Sequence, residues 1–495
     1  MINRGNMALI LLAGVSAPFW LTGCAHPSDS APSIEKTKQQ VSVILDRTLS
    51  RESIEDRPPN VLWIVLDACR ARQLSCYGYD RPVTPIMDEI ARHGTRFARH
   101  YAQASYTSLS VPSFLVGRYF VQPCVEENIA YPPAPFLSEE KLLPQWFREN
   151  GYYTWCVTGH PMFSYRTPVA AAFEQFDQLT PARMHVDKVT FEEMNDHIRK
   201  KLVTLRKPYF LYVHAMDTHF PHVVFPPFDR WMPRSAARTV LTESGNEVSP
   251  VFDRPLTSGE YATLLGAYDG DLAYADYQIA RLLVMLHEAG HLNNTIIVIS
   301  SDHGELLGEA RHIGHPSLQL DELLHVPCII AGPGLQQGQV VTDLTENVDL
   351  APTLAALCRL KVNMDAFEGF SLADRLAGTS TPIPRPFAAA CVTFLQGLFA
   401  FRSKEMLFAY DDTVRILESV ALAPASPDGS PPEMIRTPVS AEAELLSRLT
   451  DMRNRKLRYL SRPSPNHYVN VDALTLSAQA QQNTITYVEG ALPGN

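Results

Sequence analysis

Five short runs of almost unbroken apolar, β-prone residues constrain this chain more than any other feature. They are Val61-Leu62-Trp63-Ile64-Val65-Leu66, Tyr153-Thr154-Trp155-Cys156-Val157, Tyr209-Phe210-Leu211-Tyr212-Val213, Ile296-Ile297-Val298-Ile299 and Val326-Pro327-Cys328-Ile329-Ile330. A strand with one wet face alternates apolar with polar side chains, so runs without that alternation predict strands covered on both faces. Between them, Thr84 to His93, Glu139 to Asn150 and Tyr268 to Gly290 carry apolar residues at helical spacing. Strands interleaved with helices predict an α/β fold, with a largely parallel central sheet flanked by helices. After about residue 380 the alternation fades, and Pro424 to Pro438 is rich in Pro and Ser, which predicts a smaller C-terminal subdomain. A net charge of -10 gives no broad positive field, and nucleic acid is not expected as a partner.

The N-terminal residues bear on compartment. Arg4 precedes an apolar run from Met7 to Leu21, short of the roughly 20 residues a membrane-spanning helix needs, and the pattern reads as a signal peptide. The run ends in Leu21-Thr22-Gly23-Cys24, which resembles the bacterial lipobox, where the thiol is acylated and becomes the mature N-terminus. Two acyl chains anchor without further help, each buried methylene contributing about 0.8 kcal/mol. Ala25 after that Cys fits sorting to the outer membrane. The expected layout is therefore residues 1–24 as lipoprotein signal, 25–57 as a flexible tether with a charged, weakly helical stretch, 58–380 as the large folded domain and 381–495 as C-terminal subdomain. Of eight cysteines, setting Cys24 aside leaves an odd number, so at least one stays free. Cys328 and Cys358 lie in apolar runs as small hydrophobes, and Cys69 with Cys76 could pair.

In open α/β sheets ligands gather at the carboxyl ends of strands. Asp67 follows the first strand, and Ser301-Asp302-His303-Gly304-Glu305 follows another. An isolated Asp there is more readily a turn residue, but an Asp-His pair at a second strand end suits a divalent metal such as zinc or manganese. The third element is Thr107-Ser108-Leu109-Ser110-Val111-Pro112-Ser113-Phe114-Leu115-Val116-Gly117, a hydroxyl-rich helix entry. Capping alone would explain its hydroxyls. A metal and a helix N-terminus together would also make Thr107 a usable nucleophile.

With these segments, the chain resembles the sulfatase and alkaline phosphatase superfamily from about Asn60 to Leu376. The match runs in order through Asn60-Val61-Leu62 to Asp67, Cys76-Tyr77-Gly78-Tyr79 with Thr84-Pro85, Thr107 to Gly117, and Tyr212-Val213-His214-Ala215-Met216-Asp217-Thr218-His219. It continues through Tyr268-Asp269-Gly270, Ser301 to Glu305, Gly314-His315, and Val348-Asp349-Leu350-Ala351-Pro352-Thr353-Leu354. The resemblance implies Asp67, Asp302 and His303 as metal ligands, with Thr107 as nucleophile also reaching the metal. It implies His219 and His315 as the pair that binds the substrate oxyanion, or in some relatives helps hold a second metal. Glu305, Asp217 and Asp269 stay open between supporting roles and ordinary strand-end carboxylates.

Departures from the family pattern narrow the expected activity. Sulfatases need Cys or Ser, oxidised to formylglycine, within Cys/Ser-x-Pro/Ala-x-Arg; here the segment is Thr107-Ser108-Leu109-Ser110-Val111, and Thr has no route to formylglycine. Ala68 stands where calcium-dependent sulfatases have a second Asp. The Thr-x-x-Ser-Val-Pro run is instead similar to the nucleophile segment of phosphoethanolamine transferases and lipoteichoic acid synthases, although Ser113 stands where those transferases usually have a disulfide Cys. The expectation is a metal-dependent hydrolase or transferase of phosphate esters, diester or monoester, acting through a covalent Thr107 intermediate in the cell envelope. Zinc or manganese is favoured over calcium, and no protein partner is expected. The alternatives are a sulfuric ester hydrolase working without formylglycine and a non-catalytic envelope lipoprotein of the same fold. The segment from Phe220 to Glu247 and the C-terminal subdomain are read as lid and pocket, without chemical signature.

Overall fold

A computed structural model describes residues 34–49, 57–119, 141–161, 163, 167–181, 188–233, 254, 256–316, 320–385, 388–393, 398–402, 406–411 and 416–421. Cys24, residues 234–247 and the stretch after Ala421 lie outside them. The strands are β1 (Asn60–Leu66), β2 (Thr95–Tyr101), β3 (Tyr153–Thr158), β4 (Gln175–Gln178), β5 (Tyr209–Ala215), β6 (Thr295–Ser300), β7 (Leu306–Leu307), β8 (Ile313–Gly314), β9 (Cys328–Ala331), β10 (Gln339–Glu346), β11 (Ala388–Thr393), β12 (Leu398–Arg402), β13 (Met406–Asp411) and β14 (Ile416–Ala421). The helices are α1 (Ile34–Thr48), α2 (Pro85–Arg92), α3 (Thr107–Val116), α4 (Leu143–Glu149), α5 (Pro168–Ala172), α6 (Phe191–Lys201), α7 (Ser258–Glu288), α8 (Asp321–Leu324), α9 (Leu350–Leu357) and α10 (Ala373–Leu376).

Eight strands form one sheet in the order β10-β2-β9-β6-β1-β5-β3-β4, parallel except for β9, which runs antiparallel to β2 and β6. The central strand β1 is buried along its whole length. Its alternate side chains enter two different cores, as a pleated strand requires. Leu62, Ile64 and Leu66 pack with α2, α6 and α7 on one face. Val61, Trp63 and Val65 pack with α3, α4 and α9 on the other. This double burial is the physical reason for the unbroken apolar runs, and it confirms the expected flanked sheet.

The structure departs from the sequence expectations in instructive places. The fifth apolar run becomes strand only from Cys328, because Pro327 has no N–H to give to the ladder. β2, β4 and β10 were not expected; β2 carries Arg96, Arg99 and His100, and β10 lies at the sheet edge with one partly exposed face, so neither shows an apolar run. The long helix α7 starts ten residues before Tyr268, at a capping box in which Thr257 Oγ1 accepts from Glu260 N at 3.3 Å and the Glu260 carboxylate accepts from Thr257 N at 2.7 Å. Residues 34–48, expected as a weakly helical stretch of a flexible tether, do form a helix, α1, but it is packed rather than loose, burying Val41, Ile44 and Leu45 against α2 and α7. Cys69 and Cys76 are both free thiols, so that possible pairing is not made, while Cys328 and Cys358 are buried as expected. A second, four-stranded antiparallel sheet, β11 to β14, follows residue 380.

Candidate active site

Four neighbouring strands, β6, β1, β5 and β3, aim their carboxyl ends at one place. Asp67 leaves β1, Asp302 and His303 leave β6, His214 lies near the end of β5, and His160 follows β3. Asp67 turns sharply because Ala68 takes the left-handed conformation, φ 59°, unusual for a residue with a side chain. That turn lets Ala68 N donate to Asp302 Oδ1 at 3.2 Å and Cys69 N donate to Ser301 Oγ at 2.9 Å, tying the two strand ends together.

The first turn of α3 closes the site from above. Ser110 Oγ donates to the Asp302 carbonyl at 2.6 Å, and Thr107, at the first helical position, brings its Oγ1 to 3.1 Å from His303 Nε2. His303 Nδ1 lies 2.8 Å from the Gly304 carbonyl, which can only accept, so Nδ1 carries the hydrogen and Nε2 presents a lone pair to the site. Burial pushes the His303 imidazole down to about 4, a neutral ring at ordinary pH. The helix start leaves its first N–H groups without intrahelical partners and adds a positive dipole end beside Thr107.

His219 and His315 meet with their Nε2 atoms 2.8 Å apart. His219 Nδ1 donates to the Phe220 carbonyl, so His315 supplies the hydrogen between the two rings. Burial, followed for His219 by the neighbouring His315 and for His315 by His303, lowers both and keeps the pair uncharged, His315 at about 3. The loop carrying His219 is fixed by two buried side chains. Lys188 Nζ donates to the Asp217 and His219 carbonyls at 2.7 and 2.8 Å, and Glu305 Oε2 accepts from Phe220 N at 2.8 Å.

Asp67, Asp302 and His303 offer ligand atoms that all lie within 4.8 Å of one another. Asp67 Oδ1 and Asp302 Oδ2 are buried without a hydrogen-bond partner among the described residues. Buried carboxylate oxygens left unpaired are costly; burial first, and then the Asp302 charge, push Asp67 well above the usual carboxylate range. A divalent cation among these three residues would relieve both effects, and the donor set of two carboxylates and one imidazole fits one.

The structure thus brings together Asp67, Thr107, Asp302 and His303, with His219 and His315 beside them. It takes Asp269 elsewhere, to Arg81 and Tyr79, and uses Asp217 to accept from Phe191 N at the start of α6. Glu305 is fully buried and supports the His219 loop. His160, Lys188 and His214 were missed as site residues. His214 was visible as a polar residue breaking an apolar run, whereas nothing in the sequence ties Gly159-His160-Pro161 or the isolated Lys188 to the site.

A buried hydroxyl at a helix start, facing an imidazole and unpaired carboxylates at the strand ends of a mostly parallel sheet, defines the class: an enzyme of alkaline phosphatase-like fold. The chain belongs to the sulfatase family, whose profile, described as Sulfatase, matches residues 59–359. It is 26% identical over 353 residues to an ulvan-active sulfatase of Formosa agariphila, across 65% of this chain and 66% of that one. The phosphonate monoester hydrolase of Silicibacter pomeroyi superposes with a TM-score of 0.61 at 19% identity, over 83% of this chain and 98% of that one. An alkaline phosphatase superfamily protein of Vibrio parahaemolyticus gives a TM-score of 0.55 at 15% identity, over 87% and 96%. The protein is a sulfatase-family hydrolase.

Proposed function

We propose that this hydrolase acts on phosphate esters, monoester or diester, through a covalent intermediate on Thr107. The observation that carries the reading is the hydroxyl of Thr107 at the start of α3, 3.1 Å from His303 Nε2, because Thr at the nucleophile position has no route to formylglycine and the segment lacks the Arg of that motif. Asp67, Asp302 and His303 would hold the divalent metal, with imidazole nitrogen favouring zinc or manganese over calcium. That ion would supply positive charge favouring an ionised Thr107 and the negative oxygens of the group being transferred. Thr107 Oγ attacks phosphorus, the bond to the leaving alcohol breaks, and the phosphoryl group rests on Oγ until water or an acceptor alcohol removes it. The pair's one transferable donor is the hydrogen on His315 Nε2, here given to His219, which would turn to a transferring oxygen when substrate enters, and the helix start adds its N–H groups. Acylation at Cys24 would keep the enzyme at the periplasmic face of the outer membrane, and Cys24→Ser should release it from the membrane fraction.

A purified form lacking residues 1–24 is expected to cleave an aryl phosphomonoester or phosphodiester, to stop on chelation, and to carry phosphate on Thr107 by mass spectrometry. Chelator-insensitive turnover would remove the metal from this reading. A second reading, sulfate-ester hydrolysis at the same site, is supported by the relatives named as sulfatases. Side-by-side turnover of aryl sulfate and aryl phosphate separates the two, and a clear sulfate preference would replace the phosphoryl assignment.

A further inference from the structure

Besides Tyr209 at its first position, the buried strand β5 carries two residues with polar groups, Tyr212 and His214. Tyr212 and His214 are two positions apart, so they share one face of the strand, and both are buried, at 1% and 0% exposure. The Tyr212 hydroxyl lies 3.0 Å from His214 Nδ1, and His214 Nε2 lies 3.0 Å from Asp67 Oδ2. Apolar residues of the same shape would fill this space without the penalty of burying polar groups, so packing alone does not account for the pair.

The direction of the chain of hydrogen bonds follows from what each atom can do. With a cation beside it Asp67 is ionised and its carboxylate only accepts, so Nε2 of His214 would carry the hydrogen; Nδ1 of the neutral ring is then a lone pair, and Tyr212 O–H donates to it. His160 Nε2 approaches the same Asp67 oxygen at 3.4 Å from the neighbouring strand β3. Oδ2 is thus occupied, whereas Oδ1 has no hydrogen-bond partner among the described residues and lies 3.7 Å from His303 Nε2.

We infer that Tyr212 and His214 are positioning residues, a relay that grips Asp67 by Oδ2 and so keeps Oδ1 turned toward Asp302 and His303 for a divalent metal. Neither touches the substrate. The inference rests on the metal reading proposed above and adds to it what sets the geometry of the first ligand. Partners that orient a ligand in this way typically change metal affinity 10–100-fold when removed.

The test is metal binding by the full chain, stripped of metal and titrated with zinc and with manganese against a chromophoric chelator. His214→Phe is expected to weaken binding about 10–100-fold, with turnover returning toward the wild-type kcat as metal is raised, a split that damage to packing would not give. Tyr212→Phe should weaken binding in the same direction by a smaller factor. If both variants keep the wild-type circular dichroism spectrum and bind metal within about twofold of wild type, the relay is overturned. Should His214→Phe not fold, Tyr212→Phe decides alone, and unchanged affinity in it overturns the relay. A wild-type chain that binds neither metal overturns the metal reading itself, an outcome distinct from metal bound equally well by wild type and variants.

Discussion

His100 touches no ligand atom, yet it sits beneath the loop that carries Asp302. Its Nε2 faces Asn347 Oδ1 and its Nδ1 faces Thr345 Oγ1, each at 2.9 Å, while Asn347 Nδ2 donates to the Ser301 carbonyl at 2.8 Å. Burial pushes this imidazole down to about 4, only partly offset by its contact with Asn347. Between about pH 4 and 6.5 the unfolded chain therefore binds a proton that the folded chain does not, and stability rises with pH across that window. The full stability is present above about pH 6.5 and is lost as the pH falls toward 4, by roughly 3 kcal/mol from this one residue. Denaturant midpoints measured across the window should fall with acid in wild type and fall less in His100→Gln. At the nucleophile the expectation is simpler: Thr107→Ala should lower turnover by at least about 1,000-fold with the melting temperature held. Retained turnover would move the nucleophile to another residue.

The elements around the site are joined by close backbone approaches that leave no room for side chains. Gly304 lies between His303 and Glu305, its N–H donates to the Leu323 carbonyl at 2.7 Å, and a Cβ there would meet the Glu322 carbonyl at 1.9 Å. Gly304→Ala must therefore push α8 away from the end of β6, an overpacking cost of about 1–3 kcal/mol or more. Because His303 moves with it, metal affinity should fall together with the melting temperature. Gly290→Ala, with nothing within 4 Å of its Cβ and only a positive φ of 70° to strain it, should cost about 1 kcal/mol and leave metal binding intact. Equal effects of the two substitutions would refute the steric account. The same elements show what a sequence carries. Asp67, Asp302 and His303 were legible because they stand at or just past the ends of apolar strands, and Thr107 because its hydroxyl-rich run ends in Gly117. β2 and β10 were hidden because their burial is partial, and the packing of α1 because its buried Val41, Ile44 and Leu45 are diluted among exposed polar residues. His160 and Lys188 reach the site only through the fold, from loops whose local sequence reads as turn.

At the scale of the whole molecule, one buried charge joins the large sheet to the small one. Arg385 is 4% exposed; its Nη2 donates to Asp349 Oδ1 at 2.6 Å, and its Nε lies 2.7 Å from Glu346 Oε2. Glu346 ends β10, and its Oε1 accepts from Ala389 N of β11 at 2.6 Å and from Gln103 Nε2, in the segment leading to Thr107, at 3.3 Å. The Arg385 guanidinium thus compensates two carboxylates on which the second sheet and the nucleophile segment both hang. Removing one partner of such a group leaves charge buried and unpaired, which costs about 3–5 kcal/mol, although a whole ion group can often be replaced by apolar residues without loss. Arg385→Met should accordingly be among the most destabilising substitutions away from the site. Adding Glu346→Gln to it removes one of the stranded charges, so the double variant should be more stable than Arg385→Met alone, despite carrying one more substitution. Urea unfolding followed by tryptophan fluorescence checks this directly. A double variant less stable than Arg385→Met by the full cost of Glu346→Gln would mean that the two side chains act independently, and that geometry rather than charge holds the two sheets together.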